Sequence, residues 1–242
     1  MNWKNMTTLF GVLLLGTGLV FALSGATADA SDPLTRWTTD PGNSVTTEGG
    51  NITPVNLTSD SLTDKWAAFY GNVSGNIVLT DDTSYGDYSV YNWSVSTTDG
   101  EVCATTNSSV DTSLIGMGAP SPSSIDAAWG FNSADADSGE NTFGDVGCSL
   151  EFNGVGSLLS LPNVSTGGAT GTFETCLVSA GDAYPLDHGQ TGFLLFCTNM
   201  SDGTNNYKGD SVNYELMVPT NNTADSLVST TTTTYYFYAE LN

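Results

Sequence analysis

The chain predicts an all-β fold, a β-sandwich of jelly-roll or immunoglobulin-like type, with at most one short helix. Three observations lead there. Short runs rich in Thr, Val, Tyr, Phe and Trp recur along the 242 residues, parted by Gly, Asn, Asp and Ser at intervals of about 8–12 residues. Some alternate with the period of a strand: Tyr214, Leu216 and Val218 share one face, and Asn213, Glu215 and Met217 the other. No long apolar stripe of helical period is present.

In chain order, strands are expected near residues 51–58, 66–70, 76–80, 88–96 and 101–105. Further strands are expected near 148–152, 157–161, 172–179, 192–198, 211–218 and 232–241. The one helix expected is Ser123–Trp129, which follows Pro122 and has a Ser or Asp near its start to cap it. Residues 131–147 are acidic and contain glycine, and read as a loop inserted between strands.

The first thirty residues read as a secretory signal peptide. Lys4 precedes an apolar run from Leu9 to Leu23, and Ala28-Asp29-Ala30 forms a small-x-small cleavage site before Ser31. The run is shorter than the roughly 20 residues that span a bilayer, which favours cleavage after Ala30, with an uncleaved N-terminal membrane anchor as the alternative. Residues 31–50 carry two Asp-Pro steps and a Gly pair, and read as an extended arm. Residues 51–242 then form a single domain, with no membrane span in the mature chain and no C-terminal anchor. The expected location is extracellular or on the cell surface.

Charge narrows the partners. The chain holds 4 Lys+Arg against 26 Asp+Glu, a net charge of −22. Loss of residues 1–30 removes Lys4 and Asp29, so the mature part keeps the same net charge with Arg36, Lys65 and Lys208 as its cations. No basic stripe exists to neutralise phosphates, which excludes nucleic acid, and anionic lipid headgroups are excluded on the same ground. Self-repulsion of this size is relieved by salt, so a saline, halophilic setting is expected.

Four cysteines, Cys103, Cys148, Cys176 and Cys197, read as two disulfides in an exported chain. Sequence order favours Cys103–Cys148 and Cys176–Cys197, the second pair lying in neighbouring strand-like runs. Eight Asn-x-Ser/Thr sequons follow the leader, at Asn51, Asn56, Asn72, Asn92, Asn107, Asn163, Asn199 and Asn221, and predict a glycoprotein.

The inventory of reactive groups points away from an enzyme. His188 is the only histidine and Gly-x-Ser-x-Gly is absent, which leaves no nucleophile elbow and no multi-histidine metal site. A pair of carboxylates would suffice for glycoside hydrolysis, but with so many acids no pair is distinguished by its setting. No cofactor is expected unless it is calcium, for which Asp135, Asp137, Glu140 and Asp145 in one Gly-containing loop are the candidate ligands.

Three segments carry a family resemblance: Thr63-Asp-Lys-Trp-Ala-Ala-Phe-Tyr-Gly-Asn-Val-Ser-Gly75, Tyr91-Asn-Trp-Ser-Val95, and Tyr235-Tyr-Phe-Tyr238. Together they resemble uncharacterised archaeal secreted or cell-surface β-rich proteins. The resemblance implies an archaeal envelope or extracellular setting and supplies no activity. The leading expectation is a structural protein of a cell-surface lattice or extracellular filament, self-associating into a homopolymer by strand or edge contacts. Two alternatives stand beside it. One is a carbohydrate-binding module with an aromatic platform of Trp66, Tyr70, Tyr91 and Trp93, and the other is a secreted hydrolase.

Overall fold

The computed structural model describes residues 24–25, 46, 49, 63–80, 89–94, 99–108, 110, 117–152, 156–166, 173–180, 193–220 and 233–241. The leader apart from Ser24–Gly25, nearly all of the 31–50 arm, the strand expected at 51–58, the sequons at Asn51, Asn56 and Asn221, and His188 lie outside these residues. So do the side chains of Tyr91, Asn92 and Trp93.

The strands are β1 (Ser24–Gly25), β2 (Trp66–Gly71), β3 (Asn76–Thr80), β4 (Ser89–Ser94), β5 (Gly100–Thr105), β6 (Asp145–Phe152) and β7 (Gly156–Thr166). They continue with β8 (Phe173–Ala180), β9 (Phe193–Asn199), β10 (Thr204–Asn205), β11 (Ser211–Val212), β12 (Tyr214–Pro219) and β13 (Tyr236–Leu241). The all-β class is as the sequence predicts, and every expected strand within the described residues is found. One antiparallel sheet of seven strands has the order β1-β13-β5-β9-β8-β7-β6, and β10–β11, β12–β2 and β3–β4 form two-stranded ribbons.

The core follows from β5, β8 and β9, which are buried at almost every position. A strand that is apolar on both sides needs a cover on both faces of its sheet. On one face Cys103, Cys176, Val178, Leu195, Cys197 and Tyr238 meet Cys148, Leu150, Phe152 and Leu161 of the β6–β7 hairpin. That hairpin curls over the sheet from its far end. Register shifts at Val146/Cys148 and Cys148/Leu150, with Ser160 at φ 58°, supply the bend that bulges give a strand. The curl brings β6 to β5 and β9 through side chains: Glu151 N donates to Glu101 Oε1 at 3.0 Å, and Asn199 Nδ2 donates to Ser149 O at 3.0 Å.

The opposite face, carrying Val102, Ala104, Leu177, Leu194 and Phe196, is covered by two short helices and the β2–β12 ribbon. Helix α1 spans Ser123–Trp129 as expected, but its N-cap is Pro122 and no side chain caps it. Gly130, at φ 71°, ends it in the left-handed conformation that favours glycine. A second helix, α2 (Gly139–Thr142), stands where the sequence suggested only a loop. It forms because Ser138 accepts from Asn141 N, and because the buried Asp126 carboxylate accepts from Gly139 N and Glu140 N at 2.6 and 3.2 Å. Gly139 is needed for that approach, since a Cβ there would lie 2.6 Å from Ile125 Cβ.

The disulfides correct the expected pairing. They join Cys103 to Cys197 and Cys148 to Cys176. Cys197 does stand opposite Cys176 in the ladder, as sequence order suggests, but β5 lies on its other side and sets Cys103 opposite it as well. Cys148 reaches Cys176 because the curled β6 crosses that face. Non-reducing peptide mapping is expected to recover Cys103–Cys197 and Cys148–Cys176. Recovery of Cys103–Cys148 with Cys176–Cys197 would contradict the strand order.

Candidate functional site

Three places in the described structure bear on the functional expectations. The first is the acidic segment before α2. Lys65, at the start of β2, sends its ammonium to Asp135 Oδ2 at 2.8 Å and to Asp137 Oδ1 at 2.5 Å, and lies over the Phe131 ring. Thr63 Oγ1 donates to Asp137 Oδ2, and Trp66 Nε1 donates to Asp137 O, each at 2.8 Å. The Trp66 ring packs against Phe131 and Phe143, with centroids 5.9 and 5.7 Å apart. Phe143 in turn meets Phe196 of the central sheet at 6.0 Å. The Asp64-Lys-Trp66 run therefore clamps the ribbon to the helical layer.

This clamp bears on the calcium expectation. Asp135 and Asp137 hold an internal ammonium, Glu140 is exposed on α2, and Asp145 opens β6 opposite Asn163. Among the described residues, no group of three or more His, Cys, Asp or Glu is placed to hold a metal ion.

Burial works against charge at both partners of the clamp, but mutual attraction and hydrogen bonding outweigh it. The Lys65 pKa is raised and that of Asp137 is lowered. The lysine contribution is fully present below its unfolded pKa and lost as pH rises through the higher folded value. The aspartate contribution is present above its unfolded pKa and lost as pH falls through the lower folded value.

The second place is the edge of the large sheet. Beyond β13, the only described neighbour is β1, which pairs Ser24 with Ala239 and Gly25 with Tyr238. On its inner side β13 runs its full length against β5, from Tyr236↔Thr105 to Leu241↔Gly100. This register sets Glu240 directly opposite Glu101, both carboxylates buried, at 6% and 2% exposure. The sequence did not distinguish this pair among its many acids, and its burial keeps it from an external substrate.

The third place is an exposed aromatic corner. Of the four expected platform rings, Trp66 is packed inward and Tyr70 is 36% exposed. Tyr70 meets a partner that the sequence did not indicate, Tyr207, 53% exposed, in an edge-on contact with centroids 5.8 Å apart. Lys208 Nζ lies 5.7 and 5.5 Å from the two ring centroids and reaches Tyr70 Oη at 3.4 Å. The turn is built from below. Buried Asn206 accepts from Lys208 N and Asp210 N, each at 2.9 Å, and Glu215 Oε2 accepts from Tyr207 N. A lone lysine in an Asn-Tyr-Lys-Gly-Asp turn of so acidic a chain was the available signal.

The sequons divide by burial. Asn163 lies within β7 at 6% exposure with Nδ2 bonded to Glu174, which leaves no room for a glycan. Asn107 is half-buried, Asn199 is exposed but donates to Ser149 O, and Asn72 is exposed just after β2.

Replacing Lys65 by Met is expected to cost about 1 kcal/mol at neutral pH, because solvent at the half-exposed carboxylates screens the pair. Urea unfolding should show this gap narrowing as pH falls through the lowered Asp137 value, and narrowing again as pH rises through that of Lys65. A pH-independent gap would contradict the clamp. Comparisons with protein-family models, curated proteins and solved structures find no match to this chain.

Proposed function

We propose that this is an exported, non-enzymatic structural protein that assembles by strand addition at the outer edge of β13. The observation that carries the reading is the unequal treatment of the two ends of the seven-stranded sheet. At one end β6 is curled over, and its Ser149 O and Glu151 N are engaged by Asn199 and Glu101. At the other end β13, six residues long, has only Ser24 and Gly25 along its outer side among the described residues. Those two residues belong to the segment that reads as a secretory leader. Cleavage after Ala30 takes them away and vacates the positions beside Tyr238 and Ala239 where they pair, for a strand from another copy to fill.

The donor is the 31–50 arm of another copy. Its Asp-Pro steps favour extended backbone, and its polar composition suits a strand added at a surface. Donation from one copy to the next is a heterologous contact that propagates into a filament or lattice. Several other features support an extracellular setting. Two disulfides fit an oxidising compartment, and no described helix is long and apolar enough to cross a membrane. The resemblance carried by the Thr63–Gly75 segment points to an archaeal envelope, and the net charge of −22 calls for salt or cations between packed copies.

Purified residues 31–242 are expected to form high-mass assemblies in molar salt, measured by sedimentation velocity. Deletion of 31–50 should leave monomers, and a synthetic 31–50 peptide should cap growth. A mature protein that stays monomeric at high concentration and high salt, or a deletion without effect, would overturn the proposal.

A further inference from the structure

We propose that Asn72 carries an N-linked glycan whose first sugar folds back onto the Tyr70–Tyr207–Lys208 corner, so that the aromatic pair is a seat for the protein's own carbohydrate. The inference needs an exported chain and does not depend on assembly through β13.

The geometry of β2 carries it. Residues two apart on a strand point to the same side. Past Trp66, which packs inward, Ala68 and Tyr70 are exposed while Ala67 and Phe69 face the core. The same alternation of burial continues just beyond β2, with Asn72 exposed and Val73 against the core. At about 3.3 Å per residue for extended chain, the Asn72 and Tyr70 backbones stand roughly 7 Å apart where the chain leaves β2. A pyranose on Asn72 therefore has the Tyr70 ring beside it. Tyr207 stands edge-on to Tyr70, with an interplanar angle of 75°, and makes a second wall. The C–H bonds on one face of a sugar ring pack on such aromatic surface, while Tyr hydroxyls and the Lys208 ammonium reach its polar rim.

The acceptor is held ready for modification. Asn213 Oδ1 accepts from Val73 N at 3.1 Å, and Asn213 N donates to Gly71 O at 2.9 Å, which fixes the backbone on both sides of Asn72. Ser74, the sequon hydroxyl, is exposed next to it. Among the sequon asparagines with described side chains, Asn163 is buried, Asn107 is half-buried, and Asn199 has its amide engaged. Asn72 is thus the best-presented of the four. The donor is a lipid-phosphate-linked oligosaccharide. The bond formed joins Asn72 Nδ2 to the anomeric carbon, the bond broken joins that carbon to the phosphate oxygen, the lipid phosphate leaves with the electron pair, and Nδ2 gives up one proton.

The test uses the full-length chain made in its producing cells or in another glycosylating host. Glycopeptide mass spectrometry of the native secreted protein is expected to find Asn72 modified. Its Tm is expected to exceed that of Asn72→Gln by about 2–4 °C, the shift that roughly 1 kcal/mol gives in a domain of this size. That gap should vanish when both proteins also carry Tyr70→Leu and Tyr207→Ala. Leucine keeps an apolar strand side chain at position 70, and Tyr207→Ala alone, expected to reduce the gap, serves if the double variant fails to fold. An unmodified Asn72 in native material, or an equal gap with and without the tyrosines, would overturn the inference. Filaments formed by Asn72→Gln would leave the assembly proposal standing, so the two readings fail separately.

Discussion

The structure depends on the double-sided burial of three strands. β5, β8 and β9 present apolar residues to both faces of one sheet, and neither face can be left to water. Each surrounding element answers that demand. The β6–β7 hairpin bends back through its bulges to cover one face, and a disulfide joins β6 to β8 beneath it. Two short helices and the β2–β12 ribbon cover the other. An aromatic series runs from Phe196 through Phe143 to Trp66 and ties sheet, helix and ribbon together. Truncating Phe196 would strike all three layers, at a cost of about 3–5 kcal/mol for a ring of this kind.

The same demand shapes what is left over. A hairpin spent on covering a face is no longer an open edge, so β6 is blunted, whereas β13 has the two-residue β1 as its outer strand among the described residues. The few cations are used locally. Both described lysines lie against aromatic rings, Lys65 inside the clamp and Lys208 at the surface corner. The rest of the described surface carries acids, amides and hydroxyls together with the exposed side chains of Val146, Leu159 and Tyr236. Such a molecule repels its own copies in low salt and needs a directional contact to associate. Backbone pairing at an edge is directional and does not require complementary charge, which is why strand addition is proposed in preference to an ion-paired interface.

Much of the fold was legible because it is local. Strand-period alternation put Leu216 and Val218 on one face of β12, where both are buried, and Pro122 with the short run after it placed α1 to the residue. What the sequence concealed is long-range. Helix α2 needs Asp126, thirteen residues before Gly139, to accept its first amides. The cysteine pairing needs β5 to lie beside β9, which no local pattern encodes. Glu215 lies on the opposite face of β12 from Leu216 and is also only 4% exposed, because the Asn206–Asp210 turn folds over it. The candidate sites divide the same way. Sequons and the aromatic content of β2 could be read directly. The pairing of Lys65 with Asp135 and Asp137, and the meeting of Tyr70 with Tyr207 across 137 residues, could be seen only in three dimensions.

The most direct measurement is a density map of the native assembly, obtained by electron cryomicroscopy of material from the producing cells with this chain identified in it by mass spectrometry. Ordered filaments or a lattice are expected, in which residues 31–50 of one copy lie hydrogen-bonded along Tyr236–Leu241 of the next. Dispersed monomers, or an assembly in which the outer side of β13 bears no strand from a neighbour, would contradict the proposal.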